Sequence, residues 1–335
     1  MLTNLFRLDS NAARSRLALL MQLNAIPQKF SVLDKKTGLY RDANGSAVIH
    51  RQLEYVEKEV YKVEYPELMG RQIVPIDHSI PTGAESFLYT MYDRIGEAQF
   101  VRDWSTDFPT VTIEGTPFTQ TIKHLGSAYA ISVQQIRAAA MAGMPLNTEL
   151  AETAREVIER KLDRILAVGD ASAGLGGFAN NPNVPIVPIT GNWGPTTPGA
   201  TILVDLMKLH SAVFLGSPDN TEVDTLIAAP SIYDRFLNPL NEYNQASLMT
   251  WLKQNTPFKN IEKWSKLETA GAGGTPRMVA WKKDARTAKG VIPQEFETAA
   301  PFVQGFVTTT SCHLSTGGVV IRQPKKMAYA DDPLA

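Results

Sequence analysis

A chain of 335 residues is longer than one typical domain, so two or more lobes are expected. Hydrophobic residues at 44% and charged residues at 20% make an ordinary globular balance and argue against extended disorder. The formal net charge is −1, and lysines pair only at Lys35-Lys36, Lys282-Lys283 and Lys325-Lys326, which argues against a protein that grips nucleic acid by its phosphates.

In chain order, residues 1–72 show no core of their own. Ser10–Leu23 predicts a helix that ends before Pro27. Asn44-Gly45, between Leu39-Tyr40-Arg41 and Ala47-Val48-Ile49, is a hairpin-turn signal. Leu53, Val56, Val60 and Val63 fit helical spacing, whereas Val60–Tyr65 also alternates as a strand would, and both readings stand. The apolar run Leu17–Met21 is short and Gln22 interrupts it, so no signal peptide is expected. No apolar run in the chain approaches membrane-spanning length. Strands are predicted at Ala84–Tyr92, Phe100–Trp104, Thr110–Glu114 and Phe118–Lys123. In the last two, apolar and polar residues alternate with the period of two that gives a strand distinct faces. So long an antiparallel excursion needs a surface to lie on, since an isolated two-stranded hairpin is marginal in water.

Ser132 followed by Gln135 is a capping box, and the helix it opens ends near Gly143 and Pro145. A longer helix, with Asn147 as its expected cap, runs to Val168 and stops at Gly169. Leu150, Ala154, Val157, Ile158, Lys161, Leu162 and Ile165 recur on its mostly apolar face, and Glu156 is placed to pair with Arg160 one turn on. Pro182–Pro198, rich in proline, glycine and threonine, predicts a boundary between lobes. Beyond it, helices at Ile202–Leu215, Ser231–Leu237 and Leu248–Leu252 alternate with strands at Thr225–Ala229 and Met278–Trp281, the pattern of an α/β lobe. Gly271-Ala272-Gly273-Gly274 predicts a flexible loop. Phe302–Leu314 and Val319–Arg322, joined at Thr316-Gly317-Gly318, predict a closing hairpin beside the long helix.

The end of the long helix carries the most specific wording: Gly169-Asp170, then Gly174-Leu175-Gly176-Gly177-Phe178, then Asn180-Asn181-Pro182-Asn183. With Pro75–Ala84, Tyr92-Asp93 and Ile136-Arg137-Ala138-Ala139, this resembles the major capsid protein of tailed bacteriophages, a Hong Kong-ninety-seven-type fold shared with encapsulins. The wording is closest to a subgroup with no cleaved scaffold segment, and the resemblance is strongest over Tyr55–Pro185. It implies an α+β capsid fold with an N-terminal arm at 1–75 and an extended β-hairpin loop at 84–130. It also implies a peripheral domain with the spine helix at 131–195 and 300–330, and an α/β axial domain at 196–299. The extended loop would lie across a neighbouring subunit through Phe87, Tyr89, Met91, Trp104, Val111, Ile113, Phe118 and Ile122. Copies of the chain would form hexamers and pentamers of an icosahedral shell around double-stranded DNA, held without sequence-specific binding. Portal, scaffold and decoration proteins are further candidate partners, and the host bacterial cytoplasm is the implied place of assembly. Some family members weld their shells with an isopeptide bond from a lysine on the extended loop. No lysine lies between Ala84 and Ile122, so no covalent crosslink is expected.

Chemistry is not written in the sequence. His50, His78, His124, His210 and His313 lie far apart and none belongs to an H-E-x-x-H pattern. Asp170-Ala171-Ser172-Ala173-Gly174 falls short of a nucleophile elbow, because it lacks the first glycine and follows a helix. Gly174-Leu175-Gly176-Gly177 has no lysine-plus-hydroxyl after it, as a phosphate loop requires. Cys312, the only cysteine, reads as a small apolar filler. No catalytic residue, cofactor or metal site is expected. An encapsulin-type nanocompartment is the second reading, and an α/β hydrolase, needing a serine, a histidine and a carboxylate gathered in one pocket, is the third.

Overall fold

The computed structural model describes residues 66–331, apart from 101–107, 109, 144–145, 190–191, 242 and 244–245. Pro66–Ala335 forms one unit, taken here by itself. The helix expected at Ser10–Leu23, the Asn44-Gly45 hairpin, the ambiguous stretch from Leu53 and most of Phe100–Trp104 lie outside the described residues.

The chain enters the body through α1 (Gly70–Ile73), a single turn that buries Ile73 and Val74 completely, and β1 (Ile76–Asp77). β2 (Ser86–Ile95) and β3 (Thr112–Thr121) then pair residue for residue, from Ser86 with Thr121 out to Ile95 with Thr112. The two strands predicted around Gly115-Thr116-Pro117 are therefore one strand. A two-stranded ribbon has open edges, and an open edge tolerates a proline. β4 (Lys123–Ser132) was not predicted, because Gly126, Ser127, Ala128 and Ala130 carry little strand propensity.

The capping box forms as predicted: Ser132 Oγ accepts from the Gln135 amide at 3.1 Å, and Gln135 Oε1 accepts from the Ser132 amide at 3.0 Å. It opens α2 (Val133–Ala142), which ends at Gly143 with φ 68°. The spine, α3 (Leu146–Val168), starts one residue before Asn147, so Asn147 sits within the helix and does not cap it. Its buried stripe is Ala154, Ile158, Leu162, Ile165 and Leu166. Val157, assigned to that stripe from spacing, is exposed. Arg160 reaches Glu156 at 2.6 Å, the pair expected along the helix.

At the end of the spine, β5 (Gly169–Asp170) pairs with β6 (Leu175–Gly176). Gly169 has φ 80°, and a Cβ there would lie 2.4 Å from the Leu175 carbonyl oxygen. A Cβ on Gly177 would lie 2.2 Å from the Val168 carbonyl carbon. Only glycine lets these backbones cross, which is the physical content of the Gly-Asp…Gly-Leu-Gly-Gly wording.

The second lobe follows with α4 (Gly199–Gly216), β7 (Thr225–Ala228), α5 (Pro230–Arg235), α6 (Leu248–Asn255), β8 (Asn260–Lys263) and β9 (Arg277–Trp281). By length and composition α4 is apolar enough to cross a membrane, a correction to the expectation from sequence. Here its Ile202, Leu206, Leu209 and Val213 face is buried and the helix packs against the lobe's sheet. The remaining strands are β10 (Ala288–Val291), β11 (Gln294–Thr298), β12 (Phe302–Gln304), β13 (Val307–Thr316), β14 (Gly318–Ile321) and β15 (Met327–Asp331).

Two sheets support the spine and one forms the second lobe. β13 lies between β4 and β12, with β11 following β12 along the same flank, while β10 lies between β1 and β14. The order β15-β9-β7-β8 makes a mixed sheet, parallel only between β7 and β8. The closing hairpin predicted from sequence is divided: β13 pairs with β4, β14 pairs with β10, and Phe302–Leu314 breaks at Gly305 into a hairpin of its own. One apolar cluster runs from Ile158 and Leu162 on the spine to Trp264 and Trp281 in the second lobe, with the Phe178 ring 4.9 Å from that of Trp281. The Tyr329 hydroxyl, which donates to the Phe178 carbonyl, ties the glycine loop to the last strand.

Candidate functional site

Among the described residues, the β2–β3 ribbon has no third strand beside it. Its base is held by its own chain. The Ile122 amide donates to the Glu85 carbonyl at 2.8 Å, and Gln120 Nε2 donates to the Gly317 carbonyl at 3.1 Å. The Tyr89 and Phe118 rings stack with centroids 5.5 Å apart, and the Arg322 guanidinium lies 5.7 Å from the centre of the Tyr89 ring. Burial pushes the Tyr89 phenol above its ordinary pKa, against the opposing pull of the Arg322 charge. Farther out, that support ends. Val111 is 79% exposed and Ile113 65%, and Leu88, Tyr92 and Ile95 are exposed on the facing strand. A run of large apolar side chains bare on both faces of a ribbon is more contiguous apolar surface than a lone soluble chain usually exposes.

The point where the leading segment joins the body is clamped to the spine. The buried Asp163 accepts with one oxygen from the Gly70 amide at 2.8 Å and from Trp264 Nε1 at 3.1 Å, while its Oδ2 has no hydrogen-bond partner among the described residues. Burial raises its pKa against the lowering effect of those two bonds. One residue on, Arg71 reaches both Glu159 (3.0 Å) and Glu295 (2.8 Å). Just past the C-terminal end of the spine, the Lys161 ammonium, 2.7 Å away, and the Ser172 hydroxyl hold Asp170 down to a pKa of about 2.

Ser315 Oγ and His124 Nδ1 are 2.6 Å apart, but the serine is fully buried and the nearby Glu297 carboxylate is engaged by Gln294 at 2.7 Å. The Ser172 hydroxyl donates to Asp170 at 2.6 Å, so the sequence that falls short of a nucleophile elbow is a capped turn.

A family model for the major capsid protein matches residues 96–332. The chain belongs to that family. No curated protein matches the capsid protein's sequence. Its fold is shared with solved structures. The capsid of Myoviridae phage XM1 superposes with a TM-score of 0.74 at 17% identity, covering 84% of this chain and 97% of that one. A chain of Mycobacterium phage Bobi gives 0.61 at 13% identity, covering 87% and 99%. A virus-like particle from Pyrococcus furiosus gives 0.51 at 14% identity, covering 78% and 91%. The capsid protein thus has the α+β tailed-phage capsid fold expected from its spine and glycine loop, and its role is structural.

The eight residues predicted to meet a neighbour divide by position on the ribbon. Met91, Val111, Ile113 and Phe118 are exposed. Phe87 and Tyr89 are half-buried at the base, and Trp104 lies outside the described residues. Ile122 is only 5% exposed and supports the ribbon from its own chain, so it leaves the contact set. Leu88, Tyr92 and Ile95 were missed, because period-two reasoning assigns one face to a core and this ribbon has none on either face.

Proposed function

We propose that the capsid protein assembles with copies of itself into an icosahedral shell of pentamers and hexamers that encloses double-stranded DNA. The observation that carries this is the ribbon from Ser86 to Thr121, docked at its base and bare beyond it. Its burial is completed by an adjacent subunit, with Met91, Val111, Ile113 and Phe118 as the contact residues named from sequence and Leu88, Tyr92 and Ile95 beside them. Contact spread over such extensions lets each interface be weak while the lattice is firm. Residues 84–121 act as the extended loop, shorter than the 84–130 expected because β4 pairs with β13 in the body; 131–195 with 300–326 and the β4, β10 and β11 strands act as the peripheral domain, 196–287 with β15 as the axial domain, and the residues before Gly70, fewer than the 1–75 expected, as an arm toward neighbours. A net charge of −1 suits a wall that encloses DNA without reading it. The shell is assembled in the host cytoplasm and becomes the virion capsid.

The virus-like particle of Pyrococcus furiosus shares the fold and supports a second reading, a shell around protein cargo. Nuclease-protected double-stranded DNA recovered from purified particles is the expected result, and protein cargo in its place would favour the second reading. Val111→Asp with Ile113→Asp tests the ribbon: soluble, folded protein that no longer forms shells in electron micrographs is expected, and shells of normal yield would contradict it.

A further inference from the structure

The sheet of β4, β13 and β12 ends in a knob and a socket side by side. The knob is the β12–β13 turn, where Phe302 is 66% exposed and Phe306 72%, with Val303 and Val307 exposed beside them. The socket holds about 420 Å³. Tyr129, Ile131 and Thr310 form its floor, Ile136 and Ala140 on α2 and Leu146 at the start of α3 its walls, and no charged side chain lines it. Tyr129 is paired with Thr310 and Ile131 with Thr308, so the floor is a single face of the sheet.

The knob cannot fold back into its own socket. Register pairs from Phe302 with Thr309 to Gln304 with Val307 fix β12 on β13, and β13 is paired with β4 over ten residues. The turn itself is tied down, since the Phe306 carbonyl accepts from the Val133 amide at the start of α2 at 2.9 Å. Two phenylalanines on a rigid turn find no burial among the described residues of their own chain, and being already ordered they lose little entropy on docking elsewhere. A neutral, apolar socket on the same chain matches them in chemistry and size.

We propose that the Phe302–Val307 turn of one copy inserts into the α2–α3 socket of the next, head to tail. Knob and socket share one end of the molecule, and a head-to-tail contact of this kind is the type that builds rings. This rests on the self-assembly proposed above but uses a surface distinct from the β2–β3 ribbon.

The test is a Phe306→Cys, Ala140→Cys double variant, mildly oxidised as assembled shells and run on a denaturing gel without reductant. Both positions are exposed, and Cys312 is buried and does not compete. Linked chains from the double variant and none from either single variant are expected. Links from Phe306→Cys alone would show turns meeting each other and overturn the proposal. So would intact shells of the double variant with no links, which would leave the socket to residues 1–65 or to another copy's ribbon. Unvaried protein that forms no shells at all would instead defeat the assembly reading. A charge exchange checks the same contact without oxidation: Phe306→Glu and Ala140→Lys should each lose shells and together regain them, and singles that assemble normally would overturn it.

Discussion

Asp163 carries a desolvation cost in the body. A carboxylate buried in the spine, with two donors on one oxygen and none among the described residues on the other, is stable only because removing those bonds would cost more. Burial raises its folded pKa above the unfolded value of about 3.9. The folded state therefore holds the proton more tightly, and this contribution to stability is full below the unfolded pKa and is lost as pH rises through the folded one. Asp163→Asn keeps an acceptor for Gly70 and Trp264 and removes the titration, so its melting temperature should fall less steeply with rising pH than that of the unvaried protein. Parallel melting curves across that window would contradict this. Asp163→Ala strands two buried donors and should cost about 1–3 kcal/mol in denaturant titrations. Gly177→Ala drives a Cβ into the Val168 backbone and should cost about 3 kcal/mol or more by the same measurement. The sequence announced Gly169 and the Ser132–Gln135 cap, whose physics is local. It hid Asp163, because a lone carboxylate beside Arg164 gives no sign of burial until Gly70 and Trp264, far away in the chain, close over it.

Among the elements, the β2–β3 ribbon combines a fixed base with a bare outer part. Arg322→Ala removes the guanidinium from the Tyr89 ring, and faster amide exchange confined to Ser86–Thr121 is the expected outcome. Unchanged exchange would show that Gln120 and the Tyr89–Phe118 stack hold the base alone. The absence of lysine from Ala84 to Ile122 carries its own expectation: boiled, denatured particles should run as single chains, and a ladder would contradict it. Helices were legible because α2, α3 and α4 each keep one apolar stripe at helical spacing. Strands were less so. β4 is built from small residues, β10 and β15 are buried on both faces and do not alternate, and the partners of β13 and β14 come from remote parts of the chain. The pattern of Phe302–Leu314 predicts one side of the closing hairpin, although its first residues form an exposed turn, since apolar residues at a free tip and in a sheet look alike in sequence.

For the whole molecule, one continuous core joins the spine to the second lobe, while large apolar side chains are left bare on two hairpins. Such a division suits a body that keeps its shape as it takes up similar places in five- and six-membered rings. The family was readable from the glycine loop because that crossing of backbones admits so few side chains. Its oligomeric use was only implied, because a contact made on another copy leaves no complementary segment in the same chain to pair with it. A cryo-electron microscopy reconstruction of the purified particle tests this most directly. A closed shell is expected, with every β2–β3 ribbon covered by a neighbouring copy. A solitary protein whose ribbon lies folded against its own body would contradict it.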